Sequence, residues 1–197
     1  MKLNDFKKMM QKPIFTWADA CRVAWKTSPN VLRLELFNWR KKGELTMLKR
    51  GLYLFPDRVS SKIEIARHLF SPSYVSLEWV LHQFGFLPDV VFSMTLVSPR
   101  GSKKFNTPLG KFIYHKIKKD AFWGYDPASM LAIPEKALID YLYIYSGRLI
   151  PEQKFWDEMR WQNLNHLNFK RAKQFANRLG VQKVFELTES LENYAKT

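Results

Sequence analysis

Between Ser28 and Pro56 the chain is punctuated so closely that few local folds remain open to it. Ser28 is a helix-capping residue type and Pro29 suits a first helical turn, so a helix is expected from Pro29 to about Lys42, with Gly43 just beyond its end. Leu32, Leu36 and Trp39 recur at helical spacing and mark the side that faces a core. Two short apolar runs follow, "ELTML" and "LYLF", separated by Lys49-Arg50-Gly51 and closed by Pro56. They read as a β-hairpin whose turn uses the positive φ that glycine tolerates.

Upstream, Leu3, Phe6, Met9 and Met10 fall three to four residues apart before Pro13, and Thr16 with Asp19 forms a near capping box for "WADACRVAW". Helix, helix, capped helix, hairpin is the element order of a winged helix-turn-helix, in which the third helix enters a major groove and the hairpin lies against the flanking backbone. Residues 1–56 are expected to form this domain.

Charge supports the same expectation. Residues 1–55 hold 12 Lys/Arg against 4 Asp/Glu, so more than half of the formal net charge of +14 sits in the first quarter or so of the chain. Such a segment favours polyanions. Ser28, Asn30, Arg33, Asn38 and Lys41 on the third helix, with Lys49 and Arg50 at the hairpin tip, are the candidate DNA contacts. Asn and Arg can read base edges, whereas Lys more often holds phosphate. A charged hairpin tip is also common on any protein surface, and winged helices also serve as protein-interaction modules. Val31, Leu34 and Phe37 lie off the core stripe, which leaves one flank available to pack on another domain.

Beyond Pro56, "DRVSS" (57–61) reads as a linker, and "SKIEIARHLF" and "SPSYVSLEWVLHQFGF" as helices, the second capped near Ser76 and ended by Gly85. "DVVFSMTLVS" (89–98) reads as strand, "PRGSKKFNTPLG" as a polar connector and "KFIYHKIKK" as a strand. "MLAIPEKALIDYLYIYS" reads as a short strand and a helix opening at Pro134, and 151–197 as a helical tail. Residues 98–119 carry seven Lys/Arg interleaved with Phe105, Phe112 and Tyr114. That pattern suits either a second polyanion-binding surface or the solvated face and edge of a sheet.

"KRGLYLFP", "SYVSLEWVLHQFGF", "TLVSPRGSKKFNTPLGKFIYHKIKK" and "LAIPEKALIDYLY" occur in that order. Together they resemble the AbiEi-type antitoxins, regarded as transcriptional regulators of bacterial viral-defence (abortive-infection) toxin–antitoxin systems. The resemblance runs from about residue 12 to 145; the tail beyond Ser146 carries no matching motif. It implies a winged helix that binds operator DNA with inverted repeats and represses its own operon. It also implies a C-terminal domain that neutralises a cognate nucleotidyltransferase toxin. Within "PEKALID", the signature residues Glu135, Lys136 and Asp140 read either as parts of a well-made helix start or as part of a partner surface.

Little in the sequence points to catalysis. A nucleotidyltransferase needs Gly-Ser on a turn followed by Asp-x-Asp for magnesium; Gly101-Ser102 is present but no Asp-x-Asp follows. Asp140 with Glu152 and Lys154 has the rough composition of a nuclease site, without a strand scaffold. His68, His82, His115 and His166 are scattered and Cys21 is the single cysteine, which excludes a zinc site of the usual spacing and any disulfide within the chain. No Walker-type phosphate loop occurs. No apolar run reaches the roughly 18–20 residues of a membrane helix, and the first residues lack a secretory apolar segment.

The expectation is therefore a cytoplasmic, non-enzymatic α+β protein without cofactor, metal or membrane partner. It comprises an N-terminal winged helix-turn-helix over 1–56 and a mixed α/β antitoxin domain with a helical C-terminal tail over 57–197. A protein-interaction module without specific DNA binding, and a defence nuclease, are the alternatives.

Overall fold

The computed structural model describes every residue except Val59 and Val90. Those two positions fall in the expected 57–61 linker and the expected 89–98 strand run, and there the expectations lie outside the described residues. The protein is a mixed α+β structure, with nine α-helices and two sheets among the described residues. It divides into two compact units: Met1–Ser71 with Phe105–Gly110, and Pro72–Lys104 with Lys111–Thr197. The first unit thus runs past Pro56, where the sequence placed the domain boundary.

In chain order the first unit comprises α1 (Leu3–Met9), β1 (Ile14–Thr16), α2 (Trp17–Val23), α3 (Pro29–Lys41), β2 (Thr46–Lys49), β3 (Leu52–Leu54) and α4 (Lys62–Leu69). The expected helix starts form for the expected reasons. Thr16 accepts from the Asp19 amide at 3.1 Å, while the Asp19 carboxylate accepts from the Thr16 amide at 3.0 Å and hydroxyl at 2.7 Å. Those two Thr16 donors, hydroxyl first, pull the Asp19 carboxyl down to about 2. Ser28 caps α3 through the Val31 amide, and Gly43 follows its end with φ +76°.

The hairpin β2–β3 turns at Arg50-Gly51, with Gly51 at φ +76° and a register shift between Met47 and Lys49. Strand β1, which the sequence reading passed over, adds to its other edge through pairs Ile14↔Leu54 and Phe15↔Tyr53, giving the order β1-β3-β2. The Gly51 carbonyl accepts from the Trp17 amide at 2.8 Å and ties the hairpin turn to the start of α2.

Phe6, Phe15, Leu32, Leu36, Trp39 and Phe55 fill one core. Its rings meet at 5.5 Å (Phe6–Phe15), 5.2 Å (Phe6–Trp39) and 5.0 Å (Phe15–Phe55). Arg58, expected in a linker, clasps this core instead. Its guanidinium donates to the carbonyls of Lys7 at 2.7 Å and of Met10, and lies 4.6 Å over the Phe55 ring.

The second unit contains α5 (Leu77–Gln83), α6 (Pro134–Tyr145), α7 (Gln153–Met159), α8 (Phe169–Leu179) and α9 (Gln182–Tyr194). The six-stranded sheet is formed by β4 (Tyr74–Val75), β5 (Ser93–Ser98), β6 (Lys103–Thr107), β7 (Gly110–Lys116), β8 (Tyr125–Asp126) and β9 (Leu131–Ala132), in the order β6-β7-β5-β4-β9-β8; its residues belong to the second unit except Phe105–Thr107 and Gly110, which fall in the first. Strand β5 runs parallel to β7 and antiparallel to β4. Helix α6 packs on α5, α8 and α9.

The stretch 99–110, expected as a connector, holds β6. "KKFNT" carries no apolar alternation because β6 is an edge strand, where lysines are tolerated and discourage further pairing. Phe112 and Tyr114 are buried, so they are not available as stacking platforms. Among the described residues no helix is long and apolar enough to cross a membrane.

Candidate nucleic-acid interface

Helix α3 divides its side chains cleanly. With about 3.6 residues per turn, Leu32, Leu36 and Trp39 share the buried side, and Asn30, Leu34, Phe37 and Lys41 share the opposite one. Asn30, Arg33, Asn38 and Lys41 are all exposed, as is Arg40, a cation the sequence reading did not single out. The Arg33 guanidinium lies 5.2 Å over the Trp17 ring, which holds it on one flank of the outward face. Arg40 lies 5.7 Å over the Phe37 ring.

The acid of α3, Glu35, is half-buried and bonded to the Met1 amine at 3.2 Å, on the side turned toward the core. The outward face therefore carries no carboxylate. Ser28 is exposed, but its hydroxyl is occupied as the cap.

The two tip cations differ. Arg50 is exposed. Lys49 is half-buried; its ammonium donates to the Leu69 carbonyl and sits 5.4 Å from the Phe105 ring centre. The lysine is thus used within its own unit, and Arg50 is the tip residue that presents its charge outward.

The three residues of "PEKALID" are internal. Lys136 is 0% exposed, and Asp140 and Glu135 are buried, so they form no partner surface. The Lys136 ammonium donates to Asp140 Oδ1 and to the Tyr74 hydroxyl at 2.9 Å. Asp140 Oδ2 accepts from the Tyr74 hydroxyl at 2.8 Å and from Ser76 Oγ at 2.7 Å.

Burial pushes the Lys136 ammonium down and the Asp140 carboxyl up, and each is opposed by its partner's charge. Gly124, at φ +76°, leaves room for the Lys136 stem; a Cβ there would stand 2.8 Å from its Cγ. Glu135 accepts from the Asn168 amide at 3.3 Å and so fastens α6 to the start of α8. These buried contacts anchor α6 to β4, to Ser76 and to the start of α8.

A groove of about 450 Å³ in the second unit, which the sequence reading missed, is lined by Glu78, Lys104, His115, Tyr145 and Arg148 among others. These residues come from elements widely spaced in sequence, so no local motif marks them. One Glu78 carboxylate oxygen is buried without a hydrogen-bond partner. Burial holds the His115 imidazole below its ordinary range. Among the described residues, no group of three or more His, Cys, Asp or Glu stands close enough to hold a metal ion. Asp140, with its bonds to Lys136, Tyr74 and Ser76, is not part of any such group with Glu152.

The sequence matches no family model and no curated protein.

Proposed function

We propose that the first unit is a winged helix-turn-helix that docks α3 in the major groove of DNA, with the β2–β3 hairpin as its wing. The observation that carries this reading is the outward face of α3: amides and cations at its ends and flanks, and no carboxylate. The unit that bears it holds 15 Lys/Arg against 6 Asp/Glu. Arg33, Arg40, Lys41 and Arg50 hold phosphates or base edges, and Asn30 and Asn38 read base edges. The resemblance to AbiEi-type antitoxins supports the wider role: an autorepressor at inverted repeats and the antitoxin of a neighbouring nucleotidyltransferase toxin, without enzymatic activity of its own. The second unit would carry the antitoxin function.

The test is a gel-shift titration with the DNA immediately upstream of the gene against scrambled DNA of equal length, at two salt concentrations. Preferential binding is expected, with a log–log salt slope near −4 to −5 for about 5 neutralised phosphates. Arg50→Ala should weaken binding to both DNAs and reduce the slope by about one unit. Asn30→Ala should narrow the difference between them. A wild-type protein that shifts neither DNA would overturn the reading.

A second reading, a protein-interaction module, is favoured by one specific observation: Trp25, Val31, Leu34 and Phe37 are exposed apolar residues on or beside α3. Binding of a protein partner that is indifferent to salt, with no DNA shift, would establish it instead.

A further inference from the structure

The apolar centre of the α3 outward face is an anomaly for a phosphate-binding surface. Val31, Leu34 and Phe37 are 47%, 60% and 52% exposed, at a spacing of three residues that fans them over about 120° of the helix with Leu34 at the middle of the outward face and Val31 on its flank. Nothing about folding keeps them there, since the opposite side of the same helix already supplies Leu32, Leu36 and Trp39 to the core. Around them stand Arg33, Arg40 and Lys41 as cations and Asn30 and Asn38 as amides. The complement of such a face has apolar groups along its floor and anions along its rims.

The major groove of DNA has that character wherever thymines lie on its floor. Each thymine presents a C5-methyl group there, and the phosphates line both walls. We infer that Val31, Leu34 and Phe37 are specificity-determining residues that pack on thymine methyls, so that the bound sequence carries A·T pairs beneath the middle of α3. The inference rests on the DNA-binding reading above and adds what that DNA must contain.

Geometry sets the extent of the contact. Residues three apart on a helix are separated by about 4.5 Å along its axis, so Val31 to Phe37 spans about 9 Å. Base pairs rise by about 3.4 Å, so the apolar stripe covers about three successive pairs. A stack of thymines under Leu34 and Phe37, with guanines or phosphates reached by Arg33 and Arg40 at the side, satisfies both the apolar and the charged parts of the face. An acidic amphipathic protein surface is the competing complement, and the experiment separates the two.

The full chain is used to enrich duplexes from a random-sequence pool. The best duplex is then resynthesised with deoxyuridine in place of thymidine, which removes the C5-methyl groups while leaving base pairing intact. Affinities for both duplexes are measured by fluorescence anisotropy at one salt concentration. Enrichment of an A·T block is expected, with affinity falling about fourfold for each contacted methyl that is removed. Leu34→Ala and Phe37→Ala should bind the thymidine duplex more weakly than wild type and lose the difference between the two duplexes. Both residues are exposed, so the variants keep the core.

Equal wild-type affinity for the two duplexes, with DNA binding otherwise intact, would overturn the methyl contact and leave the DNA-binding reading standing. Failure to enrich or bind any duplex would remove the DNA-binding reading and this inference with it.

Discussion

Helices α3 and α6 both carry proline in the first turn and run for 13 and 12 residues, yet they sort their side chains in opposite senses. Helix α6 takes charge inside: Glu135, Lys136 and Asp140 are all buried, each with polar partners from other elements. Helix α3 leaves apolar groups outside: Val31, Leu34 and Phe37 face away from the core that Leu32, Leu36 and Trp39 complete. Either arrangement departs from the usual partition, and the departures differ in meaning. A buried charge costs desolvation that its own unit must offset with hydrogen bonds, so it reports on construction. An exposed apolar stripe brings little stability to the free protein, and on the reading proposed above it meets DNA.

The largest effect that tests this contrast lies in α6. Asp140→Ala leaves the Lys136 ammonium and the Tyr74 and Ser76 hydroxyls without their shared acceptor. Urea unfolding should show a loss of about 3–5 kcal/mol, much of it the cost of an unpaired buried charge. Replacing both members, Lys136→Met with Asp140→Leu, should recover the part of that loss that comes from the unpaired charge, while the buried Tyr74 and Ser76 hydroxyls still lack their acceptor. A double variant as unstable as the single one would place the loss on the Tyr74 and Ser76 hydroxyls and not on the unpaired Lys136 charge.

A middle-sized effect belongs to the α2 cap, where a charge at a helix end replaces a charge inside the unit. The Asp19 carboxyl titrates at about 2 in the folded protein, held down first by the Thr16 hydroxyl and then by the Thr16 amide. Its unfolded value is about 3.9, so its contribution, about 1 kcal/mol once solvent screening is allowed for, is present in full above that pH and is lost as pH falls from about 4 toward 2. Unfolding midpoints of wild type and Asp19→Asn should differ at pH 6, draw together from about pH 4 to about pH 2 and converge only below about pH 2.

The smallest effect is expected on α3. Leu34→Ala and Phe37→Ala should shift stability by less than about 0.5 kcal/mol each in the free protein. A loss comparable to that of a core leucine would mean that the stripe is covered within the molecule, and the contrast between the two helices would fail.

Much of the α3 face was legible in the sequence, because its information is local. Ser28, Pro29 and Gly43 fix the ends of the helix, and the Leu32, Leu36, Trp39 stripe decides by geometry which residues must face outward. Less legible were the parts settled at a distance. Strand β1 is three residues long, too short to show a period, and exists by pairing with β3. Strand β6 is lysine-rich because it lies at an edge, and lysine-rich segments read as loop. Lys49 looks like any charged hairpin tip until the Leu69 carbonyl, twenty residues later, takes up its ammonium.

Lys136 and Asp140 have the spacing of an ordinary surface ion pair on a helix. What takes them inside is packing around α6 together with Tyr74 and Ser76, more than sixty residues earlier in the chain. Their position in "PEKALID" marks the helix start correctly and says nothing about its depth.

The position of Arg58 has a practical consequence for dissecting this molecule. A fragment ended at Pro56, where the hairpin finishes and the sequence pauses, would lose the guanidinium that gathers the carbonyls of Lys7 and Met10 over the Phe55 ring. It would also lose the carbonyl of Leu69 that receives Lys49. Cleavage between Pro56 and Lys62 should therefore loosen α1 as well as the residues beyond the cut. An N-terminal piece meant for isolated study should extend at least through Ser71, and even then lacks Phe105–Gly110, whose Phe105 ring lies against Lys49 and Phe70.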